Sequence, residues 1–399
     1  MMLNIEEPRA LPRFALFNLG FRPFFLGAAG FAAVAMLIWM AIYVFGWSVQ
    51  PYGLPPMNWH AHEMIFGYAL AVVAGFLLTA IRNWTGHQTV NGLPLFLLFL
   101  LWLTGRVVPF FSDVIALAYV AIIDNLFLVL LIVATVMPIV KARQWKNLGL
   151  VSKLVLLLAS NLLFYAGVLG LLANGVYQGL YSGLYLILAL IFVMGRRVIP
   201  FFIERGVEPP VQVRNWQWLD VSSLVLFLMF WIADVFVREL WLVTVLAAVL
   251  LVLHGVRLAG WYTHGIWQKP LLWSLYLAYA SLVAGFALKA AVPLFDVSPY
   301  LAVHAFAVGG IGMMTIAMMA RVALGHTGRD VDAPPAVVGG VFVMLLGGVL
   351  ARVVVPLVEQ AHYVLWIGVS QVLWITAFAM FLYVYLPMLL KPRVDGRPG

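Results

Sequence analysis

Histidine is the residue type with the widest scope for chemistry in this 399-residue sequence, which has eight histidines and no cysteine. The absence of cysteine excludes disulfides, iron–sulfur clusters, covalently attached c-type haem and cysteine nucleophiles. A metal ion or haem iron would need histidine, methionine, tyrosine or carboxylate ligands. We find no phosphate loop, G-x-S-x-G or H-E-x-x-H motif, so ligation by histidine is the chemistry the sequence favours.

Two histidine-containing stretches repeat each other at a fixed spacing. The positions that coincide, 242 residues apart, are His62 and His304, Gly67 and Gly309, and Thr85-Gly86 and Thr327-Gly328. If both stretches are parallel helices, His62 and His304 lie at the same depth. Two imidazoles on facing helices are how a helical bundle holds b-type haem. The alternative is that each is a histidine at the membrane interface with its hydrogen bonds satisfied.

His60 lies two residues before His62, which is about 200° around a helix. The two rings therefore cannot both face one haem. We expect one to bind the iron, while the other binds a second metal, a haem propionate or the preceding loop. Haem propionates are anionic, and Arg106 and Arg352 are placed to pair with them. The alternative for each arginine is that its side chain extends to the membrane interface.

His87 and His326 occupy matching places after the two repeated stretches, in Asn83-Trp84-Thr85-Gly86-His87 and Gly325-His326-Thr327-Gly328-Arg329. His87 follows His62 by 25 residues, roughly 30 Å along a helix, so these two cannot share one centre. His87 and His326 form a second candidate pair, for copper or an anionic group. The alternative is that they are ordinary polar loop residues.

Two acidic residues also fall in apolar surroundings. Glu63 follows His62 directly, and Asp124 lies within a long apolar run. An ionisable group inside a membrane needs a partner. We expect these carboxylates either to carry protons or to accept a hydrogen bond from a histidine.

The composition identifies the environment that must position these residues. Hydrophobic residues make up 65% of the chain and charged residues 10%. A soluble domain of this size carries about 25% charged residues, so we predict an all-α polytopic membrane protein. The net charge of +8 follows from basic residues that set topology. Because the chain has no long basic tail or soluble lobe, we expect a lipid membrane as its partner and no nucleic acid.

Apolar runs long enough to cross the membrane need about 20 residues. We predict twelve transmembrane helices, numbered 1 to 12 here, at 17–46, 60–81, 93–111, 115–140, 152–173, 179–203, 217–237, 240–258, 271–293, 299–321, 336–357 and 363–390. They form a single transmembrane domain, 1–399, with short loops.

The basic residues predict the orientation. With both termini in the cytoplasm, all but four of the 23 Lys and Arg residues lie at the inner face. The exceptions are Arg106, Arg238, Lys289 and Arg352. The repeat relates helices 2 and 10, an offset of eight helices that fits three units of four. The alternative is chance similarity between two apolar helices, since sequences of low complexity align easily.

Several motifs together resemble the NnrS family over nearly the whole chain. They are Leu19-Gly20-Phe21-Arg22-Pro23-Phe24-Phe25, Trp59-His60-Ala61-His62-Glu63-Met64, Asn83-Trp84-Thr85-Gly86, Gly195-Arg196-Arg197-Val198-Ile199-Pro200-Phe201-Phe202, His304-Ala305-Phe306-Ala307-Val308-Gly309 and Arg321-Val322-Ala323-Leu324-Gly325-His326-Thr327-Gly328-Arg329. The resemblance implies a multi-pass protein of the bacterial inner membrane that contains haem and copper. It also implies a link to denitrification and to tolerance of nitric oxide and nitrosative stress. The departure from the family pattern is Tyr276, at a place where we expect many relatives to have histidine.

A more distant analogy is the core of haem–copper oxidases, with twelve helices in three arcs and haem between helices 2 and 10. The copper site of those oxidases needs histidines on helices 6 and 7, which this chain lacks. We therefore expect a protein that binds or converts nitric oxide, with haem b and copper as cofactors and an unidentified electron donor. Whether it acts as an oxidoreductase stays open. The alternatives are a transporter of metal, haem or a small nitrogen compound, and an assembly factor.

Overall fold

A computed structural model describes residues 14–51, 54–111 and 113–397. Within that part of the chain the protein is helical and contains no strand. Twelve helices are long and apolar enough to span a membrane: α1 Phe21–Tyr43, α2 Pro56–Thr85, α3 Leu93–Phe111, α4 Leu117–Lys141, α5 Trp145–Val168, α6 Gly175–Gly206, α7 Gln217–Val237, α8 Leu240–Gly260, α9 Pro270–Phe295, α10 Pro299–His326, α11 Val337–Val358 and α12 Tyr363–Leu390.

The prediction of an all-α protein with twelve membrane-spanning helices is confirmed. Both described chain ends lie at one end of the bundle, where the Ala15 N–H donates to the carbonyl of Leu390 at 2.8 Å. We call this the terminal end and the other the opposite end. Of the basic residues expected at the inner face, Arg9 and Arg13 lie outside the described residues.

Helices α2 and α10 are the most buried of the twelve spans. Each begins with a proline, Pro56 or Pro299. Proline suits the first position of a helix because a backbone N–H there would have no partner within the helix. Each then changes to π-helical geometry, over Glu63–Ala69 in α2 and Ala305–Gly312 in α10. The two π segments start 242 residues apart, the spacing of the sequence repeat. This agreement supports a common ancestry for the two helices.

Two more π segments end α7 over Ala233–Val237 and interrupt α11 over Leu350–Val354. Single π turns inside α-helices are frequent at functional positions. Ionisable residues that these four described segments contain or adjoin are His62, Glu63, Asp234, His304 and Arg352. The π geometry therefore marks the places where the helices present polar groups to the interior.

Helices α1 and α12 close the bundle by packing together. Arg22 is fully buried and its Nη1 donates to the carbonyls of Met388, Leu389 and Lys391 at 3.3, 2.9 and 2.7 Å. These carbonyls belong to the last turn of α12, which has no further helical N–H to satisfy it. Arg22 of α1 thus caps the C-terminal end of α12 with its side chain.

Candidate functional site

His62 lies at the centre of a buried polar network near the opposite end of the bundle. Its side chain has no exposed surface, and its ring stacks on Phe164 of α5 with centroids 4.3 Å apart. The ring Nδ1 lies 3.1 Å from Glu63 Oε1 and the ring Nε2 lies 2.9 Å from Asn161 Oδ1. Both ring nitrogens therefore have hydrogen-bond partners, and His62 is anchored between α2 and α5.

Arg106 of α3 supplies positive charge to the same network. Its Nη1 donates to Glu63 Oε2 at 2.7 Å, and its Nη2 donates to Asp124 Oδ1 of α4. The second oxygen of Asp124 accepts from Asn161 Nδ2 at 2.9 Å and from the Tyr165 hydroxyl at 3.2 Å. Four helices, α2 to α5, are joined by these bonds. Such pairing is what makes buried charges tolerable.

The donor pattern of this network determines what His62 can do. Asn161 donates to Asp124 through its amide nitrogen, so its Oδ1 accepts from His62 Nε2–H. Glu63 Oε1 is likewise an acceptor, which places a proton on Nδ1 as well. Both ring nitrogens of His62 are thus engaged by groups of the chain itself. Arg106 supplies positive charge to the two carboxylates.

The expectation that Glu63 and Asp124 pair with a histidine agrees with this geometry. The assignment of His62 as an iron ligand and of Arg106 as a propionate partner stays a prediction. In this structure both side chains are engaged in the network instead.

His60 points away from that network, as its helical spacing from His62 requires. Its ring stacks face to face on Trp39 of α1, with centroids 4.7 Å apart and planes 6° from parallel. The Nδ1 atom is buried and has no hydrogen-bond partner among the described residues. A buried nitrogen without a partner is costly, so a group that is not part of the chain is expected to bind it.

His304 of α10 lies near His60. Its Nδ1 bonds to the carbonyl of Tyr300 at 2.7 Å, one helical turn earlier. A carbonyl only accepts, so the proton is on Nδ1 and a neutral ring keeps its lone pair on Nε2. His60 and Arg352 of α11 both lie within electrostatic range of the His304 ring. The Arg352 Nη1 donates to the Tyr363 hydroxyl at 3.1 Å. We call His60, His304 and Arg352 the outer histidine cluster.

The structure thus separates residues that the sequence placed together. His304 lies near His60, whereas His62 lies in the network of α2 to α5. No group of three or more His, Asp or Glu side chains within the described ranges is arranged to hold a metal ion. Any metal at the outer histidine cluster would therefore depend on two imidazoles and on ligands from outside the chain.

His326 and His87 lie at the terminal end. His87 is exposed, and its backbone N–H donates to the Thr85 hydroxyl. The His326 Nε2 lies 3.5 Å from Asn83 Nδ2, and its ring packs beside Phe21. No contact between the two histidines occurs among the described residues, and their pairing around copper stays a prediction. His326 instead lines a cavity of about 650 Å³.

Two further buried ion pairs were not anticipated from the sequence. Lys289 of α9 bonds Asp234 of α7 at 2.8 Å, and the Tyr185 hydroxyl donates to the same carboxylate at 2.5 Å. Arg257 of α8 bonds Asp220 of α7 at 2.9 Å. The signal that could have found both is an acidic residue within an apolar run of α7 and a basic one within α8 or α9.

Twelve apolar helices in the described part of the chain, joined by buried ionic networks, define a polytopic membrane protein. The family profile described as NnrS protein matches residues 15–393. The chain therefore belongs to the NnrS family, and membership links it to nitric oxide. A search of curated proteins finds no match.

Proposed function

We propose that this protein binds haem b at the outer histidine cluster and handles nitric oxide there, by binding it or by a redox reaction, in the bacterial inner membrane. His60 and His304 are the proposed iron ligands, and Arg352 is the proposed partner of a propionate. The observation that carries the proposal is the bond from His304 to the carbonyl of Tyr300, which engages Nδ1 and leaves Nε2 of a neutral ring able to bind metal.

Histidine ligands in metalloproteins commonly donate their second ring N–H to a backbone carbonyl or a carboxylate. That bond fixes the tautomer and orients the ring. His304 has this arrangement. The ring is thus prepared for ligation by the geometry of α10 itself, at the point where its π segment begins.

His60 supplies the second imidazole. Stacking on Trp39 holds the plane of its ring, and its buried Nδ1 lacks a partner among the described residues. Because His60 and His304 come from α2 and α10, a group held between them would be bound by the two most buried helices. Two neutral imidazoles suit haem iron and also copper.

Arg352 fits the anionic edge of haem. Its side chain is mostly buried, hydrogen-bonded to Tyr363 and within electrostatic range of both histidines. Among the described residues it forms no salt bridge with a carboxylate of this chain. A propionate would balance its charge.

The group would supply iron that binds nitric oxide or passes single electrons. Nitric oxide is small and apolar, so it can reach a site between helices from the lipid. His60 and His304 together would hold the group, and an iron held by two imidazoles would favour electron transfer.

The test is an absorption spectrum of the detergent-purified protein, reduced minus oxidised, with metal analysis of the same sample. We expect a Soret band in the wild type that is lost in His60→Ala and in His304→Ala. His362→Ala is the matched control, because His362 is exposed near the same end and should keep the band. A band that survives both cluster substitutions would contradict the proposed ligands.

The same preparation tests the alternative functions. A colourless protein that drives metal-dependent or haem-dependent uptake into vesicles would favour the transporter. A colourless protein without uptake would favour an assembly factor. If the wild type contains copper but no haem, and both cluster variants lose the copper, the proposed site is correct and its cofactor is copper.

A further inference from the structure

A large cavity lies at the terminal end, far along the helices from the outer histidine cluster. Its volume is about 650 Å³, and it lies between α2, α6, α10, the segment that joins α4 to α5 and the first turn of α5. Ligand pockets for small organic molecules span about 300–1,000 Å³, so this volume suits one such molecule. None of the chemistry proposed for the outer histidine cluster uses it.

The entrance of this cavity is positively charged. Lys146 and Arg197 line it and are exposed, and neither forms an ion pair with another described residue. Arg82 lies within electrostatic range of His326, which also lines the wall. No carboxylate lines the cavity. Cations that converge without a counter-charge attract an anion.

Amide groups form a fixed wall between these cations. Gln144 Nε2 donates to the carbonyl of Trp84 at 2.6 Å, which ties the segment after α4 to the end of α2. Asn147 Nδ2 then donates to Gln144 Oε1 at 2.9 Å. Lys146 lies within this bonded segment, so its backbone is held in position beside the cavity.

The inner part of the cavity is apolar. Phe76, Met194, Val198 and Met318 line it, and the same four residues also line a smaller, wholly apolar cavity of about 90 Å³ between α2, α6 and α10. The two spaces are therefore adjacent and share these side chains as a wall. Methionine side chains adapt to apolar groups of varied shape, which suits a flexible chain or a ring.

We propose that this cavity binds an amphipathic anion, with a phosphate or carboxylate head on Lys146 and Arg197 and an apolar part between α2, α6 and α10. A charged head alone would leave the apolar depth unfilled. An uncharged apolar molecule would leave the two cations without a partner. The head belongs either to a free amphipathic molecule or to an anionic membrane lipid, and these two sources share the same recognition chemistry.

Native mass spectrometry of the full chain in a neutral maltoside detergent tests the proposal, because it counts each bound molecule. The probes are dodecyl phosphate, inorganic phosphate and phosphatidylglycerol, each added alone. The test variant is the double substitution Lys146→Gln and Arg197→Gln. The control is Lys141→Gln, which removes an exposed cation at the end of α4 that does not line the cavity.

We expect one dodecyl phosphate per wild-type chain, about tenfold or more weaker binding in the double variant, and wild-type binding in the control, since a charged hydrogen bond contributes at least this factor. Phosphatidylglycerol retained more tightly than dodecyl phosphate, with the same loss in the double variant, would identify a lipid as the source. Equal binding by the double variant and the control would overturn the proposal. So would inorganic phosphate binding as tightly as dodecyl phosphate. None of these results depends on a metal at the outer histidine cluster.

Discussion

His60 and His62 illustrate how two residues of one type, two positions apart, take different roles. The helix turns His60 toward Trp39 of α1 and His62 toward Phe164 of α5. The first ring has a buried nitrogen without a described partner, and the second is bonded at both nitrogens. The sequence predicted that the rings diverge. It could not predict which ring is bonded at both nitrogens, because that depends on Asn161, 99 residues away.

The same contrast gives a prediction at the residue scale. His62→Gln should keep the Soret band but lower the stability of the protein by about 1–3 kcal/mol, because a buried charge-assisted hydrogen bond to Glu63 or Asn161 is weakened. The measurements are the absorption spectrum and thermal unfolding in the same detergent. The assignment of His60 as ligand is wrong if His62→Gln loses the band while its unfolding temperature is unchanged.

Helix boundaries follow the sequence pattern where the chain is apolar and depart from it where polar residues continue a helix. The prediction placed helix 2 at 60–81, whereas α2 runs over Pro56–Thr85. Helix 6 was expected at 179–203, whereas α6 runs over Gly175–Gly206. Hydropathy detects the apolar core of a span, but hydrogen bonding extends the helix beyond it. The π segments leave no such signal, since they arise from packing.

Close contact between α5 and α6 gives a prediction at the element scale. A Cβ atom on Gly179 would lie 2.5 Å from the backbone nitrogen of Phe164, and backbone cannot move aside as a side chain can. Gly179→Ala should therefore destabilise the protein by about 1–3 kcal/mol, the usual effect of overpacking. It should also disturb the stacking of Phe164 on His62.

The matched control for this helix contact is Gly255→Ala. Gly255 lies within α8 with open space around the position of its missing Cβ. Alanine is the better helix former, so this variant should be as stable as the wild type or more so. Thermal unfolding compares the stability of the two variants. An equal loss of stability in both would show that the α5–α6 contact is looser than the structure indicates.

In the whole molecule, the first and last helices hold each other at two levels. Arg22 caps α12 at the terminal end, and near the middle of both helices the Trp374 indole donates to the carbonyl of Ala32 at 3.1 Å. Beyond α12, Arg393 donates to the carbonyl of His326, and its bonds to Asp395 hold the pKa of that carboxyl well below its usual value. The sequence predicted the twelve spans but not this closure, which joins residues more than 300 positions apart.

Arg22→Met tests the closure. The methionine fills similar space but leaves the last carbonyls of α12 without their donor, so we expect a loss of about 1–3 kcal/mol. Arg214→Met, at an exposed position between α6 and α7, removes the same charge without such a contact. Thermal unfolding of the two variants decides. If Arg22→Met unfolds at the same temperature as the Arg214→Met control, the cap contributes nothing to the stability of the protein.

An experimental density map of the protein as purified from its native membrane tests the central claim most directly. The account predicts a planar group bound between the His60 and His304 rings, with one anionic edge toward Arg352, while His62 keeps its bonds to Glu63 and Asn161. Density bound to His62, or two rings at the outer histidine cluster with only protein or lipid between them, would contradict it.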